Sequence, residues 1–168
     1  GLGCDIIPAV EVEGITVSST HIRKLLESGE VEEAAKFLGH RHCLTQTVQH
    51  GFRLGRTIGV PTVNLAVPHN ILTPAFGVYV TRVYLSDGRN FAGVTNVGTR
   101  PTVSDSDAVS VETFLLDFDG DLYDQEIRVE FCRRLRGEKK FDSLEDLRQE
   151  IQRNAQQTRE YFQENPIQ

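Results

Sequence analysis

The sequence predicts a mainly β domain, an antiparallel sheet closing into a barrel, followed by one long helix. Three observations carry that expectation. After residue 40, six extended runs rich in Val, Thr, Phe and Tyr follow one another with no helix between them. Ser86-Asp87-Gly88 and Asp119-Gly120-Asp121 punctuate them as turns, so sequential runs pair antiparallel. Closing so small a sheet removes its exposed edges. The chain then ends in a helical period from Ser143 to about Phe162.

Each element has its own signal. Residues 1–17 read as a short strand and turn with little core. Ser18 and Ser19 offer N-caps for a helix through His21, Ile22, Leu25 and Leu26, which Gly29 stops. Glu30 to Leu38 forms a second short helix, with Val31, Ala34, Ala35 and Leu38 at helical spacing and Gly39 at its end. The strands are Leu44–Gln49, Thr62–Val67, Gly77–Leu85, Asn90–Asn96, Ser110–Phe118 and Glu126–Cys132. In the final helix, Leu144, Leu147, Ile151, Ala155, Thr158 and Phe162 mark the packed face. Glu145, Asp146, Arg148, Glu150 and Arg153 mark the solvent side, and Ser143 with Asp146 forms a capping box.

Composition narrows the function classes. With 168 residues, 39% hydrophobic content and a net charge of −6, the chain reads as a soluble globular domain with a short appendage. The acidic balance argues against nucleic acid, whose binding rests on neutralising phosphates with a basic surface. No apolar run approaches the roughly 20 residues of a membrane span. Cys4, Cys43 and Cys132 are scattered and odd in number, which suits a reducing cytoplasm. There is no methionine, and the chain opens at Gly1, so it is expected to be a fragment of something longer.

The most informative stretch is Gly51-Phe-Arg-Leu-Gly55-Arg56-Thr57-Ile-Gly59-Val-Pro61-Thr62-Val63-Asn64. Glycines let backbone N–H groups approach phosphate oxygens, and Arg53 and Arg56 add forked charge. A P-loop would need Lys before Ser/Thr and a helix directly afterwards. Here Pro61 forces Val60 into an extended conformation, so the loop feeds a strand. Thr62 and Asn64 then share one face and present hard oxygen donors of the kind a Mg²⁺–nucleotide complex accepts.

This stretch resembles the phosphate-binding loop and PTxN motif of the riboflavin kinase family, in particular the kinase module of bacterial bifunctional riboflavin kinase/FAD synthetases. The resemblance extends through Gly77-Val-Tyr79, Asn96-Val-Gly-Thr-Arg-Pro-Thr102, Val111-Glu112-Thr-Phe-Leu-Leu-Asp-Phe118, Asp121-Leu-Tyr123 and Arg136-Gly-Glu-Lys-Lys140-Phe141. It implies a six-stranded Greek-key barrel that phosphorylates riboflavin to FMN with Mg²⁺ and ATP. By the resemblance, Gly51, Gly55, Arg56, Gly59 and Thr62 contact phosphates, and Thr62 and Asn64 hold the metal. Glu112 would be the catalytic base, helped by a burial-raised pKa. Arg136, Glu138 and Phe141 would contact the flavin.

The resemblance also divides the chain. Residues 1–39 match the end of an adenylyltransferase module plus linker helices, and 40–168 match the kinase domain. Val17-Ser-Ser-Thr-His-Ile-Arg23 resembles that module's Ser-Ser-Thr-x-x-Arg signature, but its H-x-G-H motif is missing, so no FAD synthesis is expected. The full-length protein is expected to carry the adenylyltransferase module ahead of the kinase. Val60 and Val63 depart from the usual family residues, and Asp124 stands where a glycine often follows Asp-Leu-Tyr, so that turn is expected to differ; none touches a proposed catalytic atom.

Residue-level alternatives stand beside these roles. Glu112 can be an exposed strand carboxylate, Thr62 and Asn64 a local turn-and-strand pair, and Arg136 to Phe141 a solvated connector. His40, Arg41, His42 and Cys43 provide no second half-site for zinc. The rival function is a non-catalytic flavin- or nucleotide-binding barrel, and an oligonucleotide-binding barrel is disfavoured by the acidic charge.

Overall fold

The computed structural model describes residues 6–50, 62–68, 70–99 and 109–166. It begins with a small ribbon of β1 (Glu11–Val12) and β2 (Ile15–Thr16). Glu13 at φ 52° and Gly14 at φ 77° form the ribbon's two-residue turn, whose double positive φ matches strand twist. Helix α1 (Ser19–Glu27) is capped by the Ser18 hydroxyl, which accepts from the His21 N–H at 3.2 Å. Helix α2 (Val31–Leu38) comes next, and Leu26, Val31 and Ala34 carry both helices into the same core as the barrel.

Six strands make one antiparallel sheet: β3 (Cys43–Thr47), β4 (Thr62–Val67), β5 (Gly77–Leu85), β6 (Asn90–Thr99), β7 (Val109–Leu115) and β8 (Glu126–Arg136). Their order is β3-β8-β5-β6-β7-β4. Within it, β8 returns to lie beside β5, the first strand of the β5-β6-β7 meander, which is the Greek-key arrangement the resemblance implies. Just past β3, the Gln49 N–H donates to the Asn64 carbonyl at 2.8 Å. That bridge links the two outermost strands and brings the sheet close to a closed barrel.

The strand boundaries shift by a few residues from the expected ones, because pairing rather than composition ends a strand. The largest change is at β8, which runs on to Arg136. That residue was expected in the connector, yet it pairs with Val78 of β5. Inward-facing side chains alternate as period two requires: Val111, Thr113 and Leu115 point in, while Ser110, Glu112 and Phe114 point out. Leu65, Tyr79, Val83, Val97, Val129 and Phe131 fill the rest of the interior. Three buried threonines cross this apolar space as a hydroxyl chain, Thr81 to Thr95 at 2.7 Å and Thr95 to Thr113 at 2.8 Å. Such a chain satisfies groups that would otherwise be buried without partners.

Helix α3 (Leu144–Glu164) starts at Ser143, whose hydroxyl accepts from the Asp146 N–H at 3.1 Å. It lies across the outside of the sheet. Ala155 meets Val78, Val94 and Leu116, and Tyr161 meets Val80 and Cys132. The helix face differs from the expected one at both ends. Leu144 is exposed, whereas Asn154 and Tyr161 are buried. Glu150, assigned to solvent by its charge, has a side chain only 13% exposed because it meets Arg136. Asp124, one of the departures from the usual family residues, takes φ 63°, a left-handed conformation that Asp tolerates.

Two outcomes are expected for stability. Thr95→Val removes the middle of the hydroxyl chain, leaving Thr81 and Thr113 short of a partner. Denaturant titration is expected to show a loss of about 1–3 kcal/mol. Burial pushes the Cys132 thiol from its ordinary 9.0 to about 11. Below pH 9 the thiol is neutral in both states; between 9 and about 11 mainly the unfolded chain releases the proton. Stability therefore falls across that window as pH rises, by on the order of 2–3 kcal/mol from this group. Denaturation midpoints for wild type and Cys132→Ala at pH 8 and pH 10.5 are expected to show a shallower fall in the variant, and equal slopes would refute the assignment.

Candidate active site

The outside of the barrel is where the polar residues converge. In antiparallel ladders, residues directly opposite share a face, with Cβ atoms about 5 Å apart. Asn64 of β4 lies opposite Glu112 of β7, and Glu112 lies opposite Asn96 of β6. One row later, Thr62 lies opposite Phe114, which lies opposite Val94. The register thus sets an amide–carboxylate–amide row beside a hydroxyl and an aromatic ring.

Between this face and α3 is a cavity of about 280 Å³. Its floor is Thr62, Glu112, Phe114, Val94, Asn96 and Val78, and its roof is Leu147, Ile151 and Asn154 of α3. Arg136 and the segment after β8, with Glu138, Lys139 and Phe141, form the side wall. Five of the residues singled out in the sequence therefore meet in one cavity: Thr62, Glu112, Arg136, Glu138 and Phe141. Asn64 joins them through its pairing with Glu112. Gly51, Arg53, Gly55, Arg56 and Gly59 lie outside the described residues, on the segment that leads directly into Thr62.

The side wall is held from several directions. The Arg136 Nε lies 3.2 Å from the Glu150 carboxylate and donates to the Asn154 amide oxygen at 3.3 Å. Its Nη1 donates to the Gly137 carbonyl at 3.2 Å. Burial lowers the Arg136 pKa and the neighbouring Glu150 charge opposes that shift, yet a guanidinium remains charged throughout the working range. Two cations approach the Phe141 ring, the Arg136 guanidinium at 5.5 Å and the Lys139 ammonium at 5.4 Å from its centroid. Glu138 reaches back over β6, where a Cβ on Gly98 would stand 3.0 Å from its carboxylate. At the start of β5, Gly77 has φ 150°, and a Cβ there would collide with the Arg136 carbonyl oxygen.

Sequence reading missed Asn96, Phe114, Lys139 and Asn154 as cavity residues. Asn96 and Phe114 stand in motifs already singled out, and period two puts Phe114 on the Glu112 face. The pairing of β6 with β7 was needed to bring Asn96 to that face. Asn154 carried no signal beyond being a polar residue beside the apolar stripe. His40 and His42 do not converge: the first contacts the Arg41 carbonyl and the second the Leu72 carbonyl. Among the described residues, no group of three or more His, Cys, Asp or Glu side chains is arranged to hold a metal ion. The oxygens gathered here are the Glu112 carboxylate, the Asn64 and Asn96 amides and the Thr62 hydroxyl. That donor set fits a hard cation whose remaining ligands come from phosphate and water.

Comparison with known proteins identifies the family. The family model described as Flavokinase: Riboflavin kinase matches residues 38–162. The chain is 36% identical over 146 residues to the bifunctional riboflavin kinase/FMN adenylyltransferase of Listeria monocytogenes, covering 87% of this chain and 46% of that protein. It is 33% identical over 162 residues to the Bacillus subtilis protein of the same description, covering 95% and 51%. The chain spans about half the length of the curated relatives it matches. A solved protein described as a macrolide-efflux protein from Streptococcus pneumoniae superposes with a TM-score of 0.83 at 35% identity, covering 91% of this chain and 50% of that one. No helix among the described residues here is long and apolar enough to cross a membrane. Riboflavin kinase from Trypanosoma brucei shares the fold, with a TM-score of 0.53 at 23% identity over 72% of this chain and 79% of that one.

Two glycine substitutions beside the cavity should separate. Gly77→Ala must move backbone and adopt a φ that side chains avoid, so denaturant titration is expected to show a loss of more than about 2 kcal/mol. Gly98→Ala has only a flexible carboxylate to displace, and a loss under about 1 kcal/mol is expected. Equal losses would show that the side wall does not approach β5 and β6 as described.

Proposed function

This chain belongs to the riboflavin kinase family, and we propose that it transfers the γ-phosphoryl group of ATP to the 5′-hydroxyl of riboflavin, giving FMN and ADP. The observation that carries this reading is Glu112 in the cavity wall, opposite Asn64 and one row from Thr62. A cavity that only held a flavin would have no use for a carboxylate facing hard oxygen donors.

The chemistry divides among the residues. Apolar walls from Val94, Phe114, Phe141 and Ile151 accept a flat, largely apolar ring system, and Arg136 and Glu138 orient its polar edge or ribityl chain. Glu112 accepts the proton of the 5′-hydroxyl as that oxygen bonds to the γ-phosphorus and the bond to the ADP oxygen breaks. Gly51, Gly55, Arg56 and Gly59 would hold phosphates with Thr62. A Mg²⁺ ion arriving with ATP, held by Thr62 and Asn64, would supply charge neutralisation on the phosphates. Because phosphoryl transfer is mainly positioning and charge stabilisation, the barrel's part is to keep these groups in line.

Residues 40–168 would form the kinase domain, with 1–39 as the end of an adenylyltransferase module that stands before the kinase in the whole protein. FAD synthesis is not assigned to this chain. Its partners would be the small-molecule substrates rather than nucleic acid or membrane, and its location the cytoplasm.

Chromatography of reactions with riboflavin and Mg–ATP is expected to show FMN from the wild type. Glu112→Gln should lose turnover by about 10²-fold or more while binding both ligands. Full turnover by Glu112→Gln, with normal binding, would sink the assignment of the base. Flavin binding without FMN from the wild type would favour a passive binding module.

A further inference from the structure

The kinase reading assigns Arg136 to the flavin, but it gives no role to the two helix residues that hold Arg136. We propose that Glu150 and Asn154 are positioning residues for riboflavin: they aim the Arg136 guanidinium, and with it the segment bearing Glu138 and Phe141, at the flavin end of the cavity. The proposal rests on the kinase reading for the identity of the ligand and on the geometry for everything else.

Residues four apart share a helix face, so Glu150 and Asn154 reach one target from successive turns. Both converge on the same atom: Arg136 Nε lies 3.2 Å from the Glu150 carboxylate and 3.3 Å from the Asn154 amide oxygen. The site is nearly dry, with the Arg136 and Glu150 side chains 21% and 13% exposed and Asn154 2% exposed. Asn154 is itself oriented, since its amide N–H donates to Gln157 at 3.1 Å. A buried ion pair is a poor device for stability, because desolvation offsets its attraction. It is a good device for direction, because a planar fork whose Nε edge is held cannot rotate.

The held guanidinium organises the side wall beyond it. Arg136 donates to the Gly137 carbonyl at the first residue of that wall and lies 5.5 Å from the Phe141 ring centroid at its far end. Helix, arginine and wall thus form one chain of contacts that ends in the cavity. Loosening the helix end should disturb the flavin side of the cavity more than the nucleotide side on β4.

The test compares Glu150→Ala, Asn154→Ala, Asn154→Asp and Arg159→Ala. Asn154→Asp keeps an oxygen acceptor for Nε. Arg159→Ala breaks a different ion pair of the same helix, Arg159 to Asp117 at 2.7 Å. Riboflavin affinity is read by quenching of flavin fluorescence, KM by steady-state kinetics, and folding by thermal melting. Glu150→Ala and Asn154→Ala are each expected to weaken riboflavin binding by about tenfold, the low end of the scale seen when the outer partner of a metal-ligating residue is removed. KM for riboflavin should rise in parallel while KM for ATP stays within about twofold, a split that lost folding would not produce. Asn154→Asp should recover most of the affinity, and Arg159→Ala should match the wild type. Unchanged riboflavin affinity in both alanine variants, or equal rises in both KM values, would overturn the proposal. Should Glu150→Ala fail to fold, Asn154→Ala against Asn154→Asp decides the matter. A wild type that binds riboflavin without making FMN would defeat the kinase reading alone, and the affinity comparison would still decide the clamp.

Discussion

The register of β7 between β4 and β6 is the constraint on which the rest depends. A strand's side chains alternate, so a slip of one residue would turn Val111, Thr113 and Leu115 outward and bury Glu112 in the apolar core. The interior threonine chain and the apolar residues around it favour a single pairing. Once that pairing is set, Asn64, Glu112 and Asn96 must form a row on the outer surface. The candidate active face is in this sense the reverse side of the core: the hydrophobic effect chooses the register, and the register delivers the polar groups.

Barrel closure acts on the same place. The bridge from Gln49 to Asn64 ties the chain just past β3 to the residue opposite Glu112, so the last gap in the sheet narrows beside the proposed phosphate-transfer site. A site built on strands holds its geometry more closely than one built on loops alone, which suits a reaction governed by position.

The helix closes the other side, and there charge rather than apolar area sets the detail. Ala155 and Tyr161 seat α3 on the sheet, while Glu150 and Asn154 meet Arg136 at the edge of the cavity. Apolar contacts carry little direction, whereas a guanidinium with a held Nε edge carries a good deal. The same helix can thus cover the barrel and orient one of its walls.

The β-rich body, its closing helix and the placing of Thr62 and Asn64 on one face of a strand were legible in the sequence, because period and turn residues act locally. The resemblance supplied the Greek key and the proposal for Glu112, and alternation placed Phe114 on its face. Other features waited for the tertiary structure. Asn96 joins Glu112 only through pairing between strands. Arg136 belongs to a strand because Val78 pairs with it, and Glu150 leaves the solvent because Arg136 is there to meet it. Local signals are written in neighbouring residues. The partner of a charge, and the strand across from an asparagine, depend on groups far away along the chain, so only the folded structure decided them.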